Sequence, residues 1–356
     1  MRSREAIVDH SAIVDNPLES AAVGDTRVSC TIDLTAEGKQ FGTLGVPRSS
    51  NQWSRLVVPI VSIANGDGPT VVVIGGVHGD EPEGQVAALN LARGLQPEQV
   101  TGRVIVIPCA SPEASRAYTR IWPSGINFNR SFPGDPIGPE DEQLAYFLST
   151  ELFPRSDVVV DIHSGGVGGL HLPWAEMHWV EDPVQRRQMV DGMIAWNTDW
   201  CCVYMDIGGT GLLVGEAERQ GKNVISTELG GGGHVTAEIH RLAASGLANV
   251  LRHVGVLEGE VVERDSPPTF LMATELPNFL IAPESGLFET LVHLGQRVES
   301  GEEVARVHFI ERPDREPEPV HAGNDGIVCV VRAVATCEQG DNLVVVAREV
   351  DRSELD

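Results

Sequence analysis

His78-Gly79-Asp80-Glu81 follows the apolar run from Val71 to Ile74, and Asp161-Ile162-His163 closes a second such run much later in the chain. An imidazole and a carboxylate three residues apart at a strand-to-helix turn project to one side. A second imidazole at a neighbouring strand end supplies a third donor. Two ligands close together and a distant third leave one coordination position open, the pattern of a catalytic rather than a structural zinc. The expectation is therefore one zinc ion per chain on His78, Glu81 and His163, with water in the open position. The plainer alternative is a pair of structural histidines. Asp161, two residues before His163, shares its strand face and is placed to accept the remaining imidazole N–H, which fixes the tautomer. Its alternative is a strand-end carboxylate in water.

Glu228 closes a third run, Asn223-Val224-Ile225-Ser226-Thr227, ahead of the loop from Leu229 to Gly233. A carboxylate beside a zinc-activated water can take its proton and later hand it to a leaving amine, so Glu228 is the candidate general base; a mere loop acid is the alternative. Asn129 and Arg130, inside Asn127-Phe128-Asn129-Arg130-Ser131-Phe132-Pro133-Gly134, set an amide beside a fork-shaped cation. A guanidinium grips a carboxylate through two parallel hydrogen bonds, which implies a substrate carboxylate. Arg120 could face the scissile carbonyl, where a fixed positive donor stabilises an oxyanion; an exposed surface arginine explains it nearly as well. His171 and His178, near Trp174 and Glu176, are candidates to line the pocket.

These residues need a scaffold that brings strand ends together. Strand and helix signals alternate over 70–74, 82–95, 103–108, 139–152 and 157–163, and continue with a helix at 182–197, a strand at 223–228 and a helix at 236–254. Such alternation predicts an α/β fold with a mostly parallel sheet flanked by helices. His78, Glu81, His163 and Glu228 then all sit outside the carboxyl ends of strands, where ligands collect in open α/β sheets. Ahead of this core, 27–32 and 55–63 read as added edge strands separated by the turn-forming Gly and Pro of 37–51. The stretch from Gly259 to Pro268 interrupts the periodicity. Beyond it, short alternating runs with Gly-containing turns predict a smaller all-β domain, giving domains at 1–265 and 266–356. Within the tail, Ala282-Pro283-Glu284-Ser285-Gly286 and the segment from Gly295 to Glu302 resemble the hairpins of biotinyl or lipoyl carrier domains. Lys39 and Lys222 are the chain's only lysines and neither lies there, so a barrel-sandwich-like structural or assembly role is expected in place of a carrier arm.

Composition narrows the partners. With 42% hydrophobic and 22% charged residues over 356 positions, the chain is a globular protein of ordinary make-up. A formal charge of -25 argues against nucleic acid and anionic membranes, because summed negative potential repels polyanions. No run approaches a membrane span, and the first 25 residues lack the apolar stretch of a signal peptide. The cysteines at 30, 109, 201, 202, 329 and 337 form no C-x-x-C pair, which suits reduced thiols in a cytoplasmic protein. Gly75-Gly76-Val77-His78-Gly79 is no dinucleotide fingerprint.

The set His78, Glu81, Asn129, Arg130, Asp161, His163 and Glu228, in that order, resembles the succinylglutamate desuccinylase and aspartoacylase family, relatives of the zinc carboxypeptidases, over roughly residues 66–260. The β tail is also typical of that group. The resemblance implies a zinc-carboxypeptidase-like fold, zinc on His78, Glu81 and His163, Glu228 as base, carboxylate capture by Asn129 and Arg130, and Arg120 as the oxyanion arginine. The interval from Arg120 to Asn129 is a little longer than in aspartoacylase itself. The leader and the Gly75 to Gly84 and Asn127 to Gly134 segments are most similar to the branch that deacetylates N-alpha-acetyl-L-2,4-diaminobutyrate in ectoine breakdown. The expected function is thus zinc-dependent hydrolysis of a small N-acyl amino acid. Its rivals are a deacylase of dicarboxylic substrates, a peptide-cleaving carboxypeptidase, and a non-catalytic binding protein with a carrier-like tail. Homo-oligomerisation is compatible with all of them.

Overall fold

The computed structural model describes residues 24–48, 53–205 and 209–355. The leader up to residue 23, with nearly all of the segment read for a signal peptide, lies outside the described residues, as do positions 49–51 of the expected turn region.

The strands of the first two-thirds are β1 (Ser29–Cys30), β2 (Gly38–Pro47), β3 (Arg55–Asn65), β4 (Thr70–Gly75), β5 (Gly102–Ile107), β6 (Val158–His163), β7 (Gly169–His171), β8 (Trp174–Met177), β9 (Trp200–Tyr204) and β10 (Asn223–Glu228). The helices are α1 (Pro82–Gly94), α2 (Pro112–Ala117), α3 (Glu140–Phe147), α4 (Pro183–Trp196), α5 (Leu213–Arg219) and α6 (Ala237–His253). Strands β5, β4, β6 and β10 lie side by side and parallel. Their Val- and Ile-rich runs are buried almost throughout, as a sheet covered on both faces requires. Helix α1 packs on β4 and α6, and α4 on α6 and β10. Antiparallel β3, β2 and β1 extend one side of the sheet, and β8, β9 and the tail extend the other.

Three readings of the sequence need correction. Residues 38–47, expected as turn, form a ten-residue strand paired with β3 from Gly38↔Ala64 to Pro47↔Arg55. One of the glycines that suggested turns serves close approach: a Cβ on Gly42 would lie 2.4 Å from both Thr31 Oγ1 and Ile32 Cγ2. Pro47 sits in the last pair, where a missing N–H costs little. The strand expected over 27–32 shrinks to Ser29–Cys30. The helix expected over 139–152 is α-helical only from Glu140 to Phe147 and widens into a π turn over Leu148–Leu152.

The tail adds β11 (Thr269–Ala273), β12 (Phe279–Ile281), β13 (Gly286–Thr290), β14 (Arg297–Val298), β15 (Glu303–His308), β16 (Glu318–His321), β17 (Gly326–Arg332), β18 (Thr336–Cys337) and β19 (Asn342–Val350). Strands β16, β15, β13 and β18 make a separate antiparallel sheet. By contrast, β11 pairs with β9 and β19, so the main sheet runs on into the tail. A shared apolar cluster that includes Trp174, Cys202, Leu271, Phe279 and Cys329 sits at this junction. The chain is a mixed α/β sheet flanked by helices with a smaller C-terminal β unit. No described helix is long and apolar enough to cross a membrane, and all six cysteines are free.

Candidate active site

The turn after β4 builds one half of the site. Gly76 adopts a positive φ of 62°, which turns the chain sharply enough for His78 to Glu81 to cross the sheet's carboxyl edge before Pro82 opens α1. Glu81 occupies the N-cap position of α1, yet its side chain caps nothing. An N-cap side chain is ordinarily worth about 0.5–2 kcal/mol, and here the carboxylate is turned instead toward two imidazoles. His78 Nδ1 lies 2.7 Å from Glu81 Oε1 and His163 Nδ1 lies 2.7 Å from Glu81 Oε2. One ligand atom from each of His78, Glu81 and His163 falls within 4.8 Å of the others, and all three residues are buried.

The outer ring nitrogens explain why both Nδ1 atoms face inward. His163 Nε2–H donates to Asp161 Oδ2 at 2.9 Å and His78 Nε2–H donates to Asn127 Oδ1 at 3.2 Å. Each partner fixes a tautomer that leaves Nδ1 free for a cation. Electrostatics point the same way. Burial works against charge on His163, but Asp161 and Glu81 outweigh it and hold the imidazole protonated well above its usual range. Burial likewise opposes charge on Glu81, and His78 and His163 override it to hold the carboxyl well below its usual range. Burial dominates at His78 and pushes it down. Two imidazoles, one of which holds its proton strongly, facing one ionised carboxylate in a buried pocket are a donor set that fits a divalent cation.

Strand register supplies the second half. Glu228 pairs with His163 and Ser226 with Asp161 across the parallel β6–β10 ladder, so Glu228 stands one strand over from a candidate ligand. Burial, then the Glu176 and Glu81 carboxylates, push its carboxyl well up. Its Oε2 has no hydrogen-bond partner among the described residues and lies 3.8 Å from His171 Nδ1. Burial lowers His171 to about 4, so the ring is neutral. Arg120 donates to Glu81 Oε1 at 2.8 Å and is half exposed. A small cleft of about 60 Å³ is lined by His78, Arg120, Asn129, His163, Glu176, His178 and Glu228, with Tyr204, Leu212, Val214 and Ser226 completing the wall. A larger depression bounded by Pro69, Asp157 and Asn223 lies at the opposite, amino ends of the same strands, away from any ligand set.

The structure therefore gathers His78, Glu81, Asp161, His163, Glu228, Arg120 and Asn129. Arg130 stands apart: it is not among the cleft-lining residues, and its Nη1 donates to the Asn129 carbonyl at 2.6 Å. The Asn129 side chain accepts from the Leu213 N–H at 2.8 Å, tying the segment to α5. Spacing arguments assigned no role to Asn127, Asp80 or Glu83. Asn127 orients His78 and also caps the short turn that carries Asn129. Asp80 accepts from the Val167 N–H, and Glu83 accepts from Ser164 Oγ at 2.6 Å, which clamps the loop after β6 to the start of α1. All three lie inside or beside the motifs, but a hydrogen bond across the fold leaves no periodic signal.

Residues 67–254 match the family model described as the succinylglutamate desuccinylase/aspartoacylase catalytic domain. An N-alpha-acetyl-L-2,4-diaminobutyric acid deacetylase from Halomonas elongata is 36% identical over 327 residues, covering 91% of this chain and 96% of that protein. The crystal structure of a succinylglutamate desuccinylase/aspartoacylase from Rhodobacter sphaeroides superposes with a TM-score of 0.86 at 36% identity, covering 92% of this chain and 100% of its own. The product-bound ectoine utilization protein EutE (DoeB) from Ruegeria pomeroyi gives 0.86 at 35% identity, with 91% of this chain and 99% of the other covered.

Proposed function

The chain belongs to the succinylglutamate desuccinylase/aspartoacylase family of amide-hydrolysing enzymes, and from that premise we propose that it is a zinc-dependent deacetylase that releases acetate from N-alpha-acetyl-L-2,4-diaminobutyrate. The observation that carries the reading is the convergence of His78 Nδ1, His163 Nδ1 and the Glu81 carboxylate beside Glu228. The named deacetylase relative, similar along nearly the whole chain, supports the substrate.

Zinc held by His78, Glu81 and His163 would lower the pKa of a water toward about 7 and polarise the amide carbonyl. Glu228 accepts the proton of the attacking water on its carboxylate and returns it to the leaving nitrogen, so the product departs as an amine. The Arg120 guanidinium, which reaches Glu81 across the cleft mouth, donates to the carbonyl oxygen as it gains charge. Asn129 and Arg130 anchor the α-carboxylate; for Arg130 this requires the guanidinium to leave the Asn129 carbonyl. Asp161 and Asn127 keep the two imidazoles in register throughout. A cytoplasmic location is part of the proposal, supported by six cysteines free of disulfides.

Release of the acyl acid, acetate from N-alpha-acetyl-L-2,4-diaminobutyrate and N-acetylaspartate and succinate from N-succinylglutamate, measured with and without chelation, tests the proposal. Chelator-sensitive release from the diaminobutyrate compound alone is expected. Preference for either dicarboxylic compound would move the specificity to the other branch of the family, and activity that survives complete metal removal would reject zinc.

A further inference from the structure

Three carboxylates besides the ligand Glu81 are carried by neighbouring strands at the site: Asp161, Glu228 and Glu176. Two are accounted for. Asp161 holds His163, and Glu228 shares a rung with His163. Glu176 has no role in the chemistry above. Register fixes its place, because Ser226 pairs with Asp161 on one side and with Glu176 on the other. Glu176 therefore lies two strands from His163's strand, about 10 Å in backbone spacing, and lines the same cleft as Tyr204, Leu212 and Val214.

Its carboxylate is oriented but makes no ion pair among the described residues. The indole N–H of fully buried Trp174 donates to Glu176 Oε2 at 2.8 Å, which fixes the rotamer. Oε1 has only a long contact of 3.5 Å with Ser226 Oγ. Among the described residues no Lys, Arg or His nitrogen lies within ion-pair distance of it, and the nearby His178 imidazole is 3.0 Å from Glu218. An acid held rigidly in a cleft wall with no directly bonded cation is costly unless the ligand brings one. Burial pushes the Glu176 carboxyl up, and a cation beside it would reverse that.

We infer that Glu176 is the specificity residue that receives the substrate's side-chain ammonium, with Leu212 and Val214 flanking the methylene stem. The inference rests on the deacetylase reading above and supplies the residue that selects among family substrates. The same carboxylate repels a substrate carrying a second carboxylate in that position, so attraction and rejection come from one side chain.

The test compares N-alpha-acetyl-L-2,4-diaminobutyrate with N-acetyl-L-norvaline, whose side chain has a methyl in place of the ammonium. The ratio of kcat/KM for the two is measured in metal-replete wild type, Glu176→Gln and Glu176→Asp. A hydrogen-bonded charge pair contributes roughly 10- to 100-fold. Wild type should favour the ammonium substrate, Glu176→Gln should lose about that much of the ratio, and Glu176→Asp should retain part of it. An unchanged ratio in Glu176→Gln, or an equal loss on both substrates, overturns the inference and leaves the deacetylase reading intact. Wild type that cleaves neither acetyl compound while hydrolysing N-succinylglutamate overturns the deacetylase reading itself.

Discussion

At the scale of single residues, the site is organised by paired demands on each side chain. Glu81 leaves its helix cap unmade to face two imidazoles, and each imidazole is turned by one outer partner, Asp161 or Asn127. Asp161 was legible because a strand repeats every two residues, which put it beside His163. Asn127 was not, because its contact with His78 spans two loops and no period relates them. Glu228 carries a consequence for pH. Burial and the neighbouring Glu176 and Glu81 carboxylates raise its pKa above the ordinary 4.5 of a glutamate. In its proposed role as base Glu228 must be ionised to act, so a raised pKa moves the acid-side loss of activity to higher pH. The profile of kcat/KM should therefore fall on acidification through a pH above 4.5, and that limb should vanish from the residual activity of Glu228→Gln. A limb unchanged by the substitution would assign the titration to another group.

At the scale of elements, the proposed ligands meet because α1 sits close to the sheet. A Cβ on Gly84 would lie 2.3 Å from the Ile162 carbonyl oxygen, and one on Gly75 would lie 2.6 Å from the Gly84 carbonyl oxygen. Glu81 precedes this helix and His163 follows Ile162, so the glycines set the distance between two proposed ligands. Gly84→Ala should push α1 off β6, lowering stability by about 1–3 kcal/mol through overpacking and weakening zinc affinity in parallel. Thermal unfolding and competitive metal titration check both, and a variant with native affinity would separate helix position from metal binding. The buried parallel strands and long helices were readable from apolar runs and periodicity. Strands β7, β8 and β9 and helix α5 were not, because each is short and is stabilised by partners distant in sequence. Glu176, the residue assigned to specificity, sits on one of them.

At the scale of the whole molecule, the tail is tied to the site more closely than composition suggested. Strand β17 pairs with β7 through Val330↔His171, and His171 in turn stands against Glu228; the loop after β10 meets the same segment at Leu170↔Gly231. We propose 1–265 and 266–356 as the two domains, with the second bracing the first's catalytic edge. The alternating pattern of the tail was legible, but this bracing was not, since it depends on which strand edge the tail covers. The claim on which the rest depends is that one zinc ion per chain, held by His78, Glu81 and His163, works with Glu228 as base. The direct test measures metal content and turnover together in wild type, Glu228→Gln and His163→Ala. About one zinc per chain is expected in wild type and in Glu228→Gln, with turnover in the latter reduced roughly 10²- to 10⁴-fold, while His163→Ala should lose metal and turnover alike. Full turnover from metal-free protein, or wild-type turnover in zinc-loaded Glu228→Gln, would contradict it.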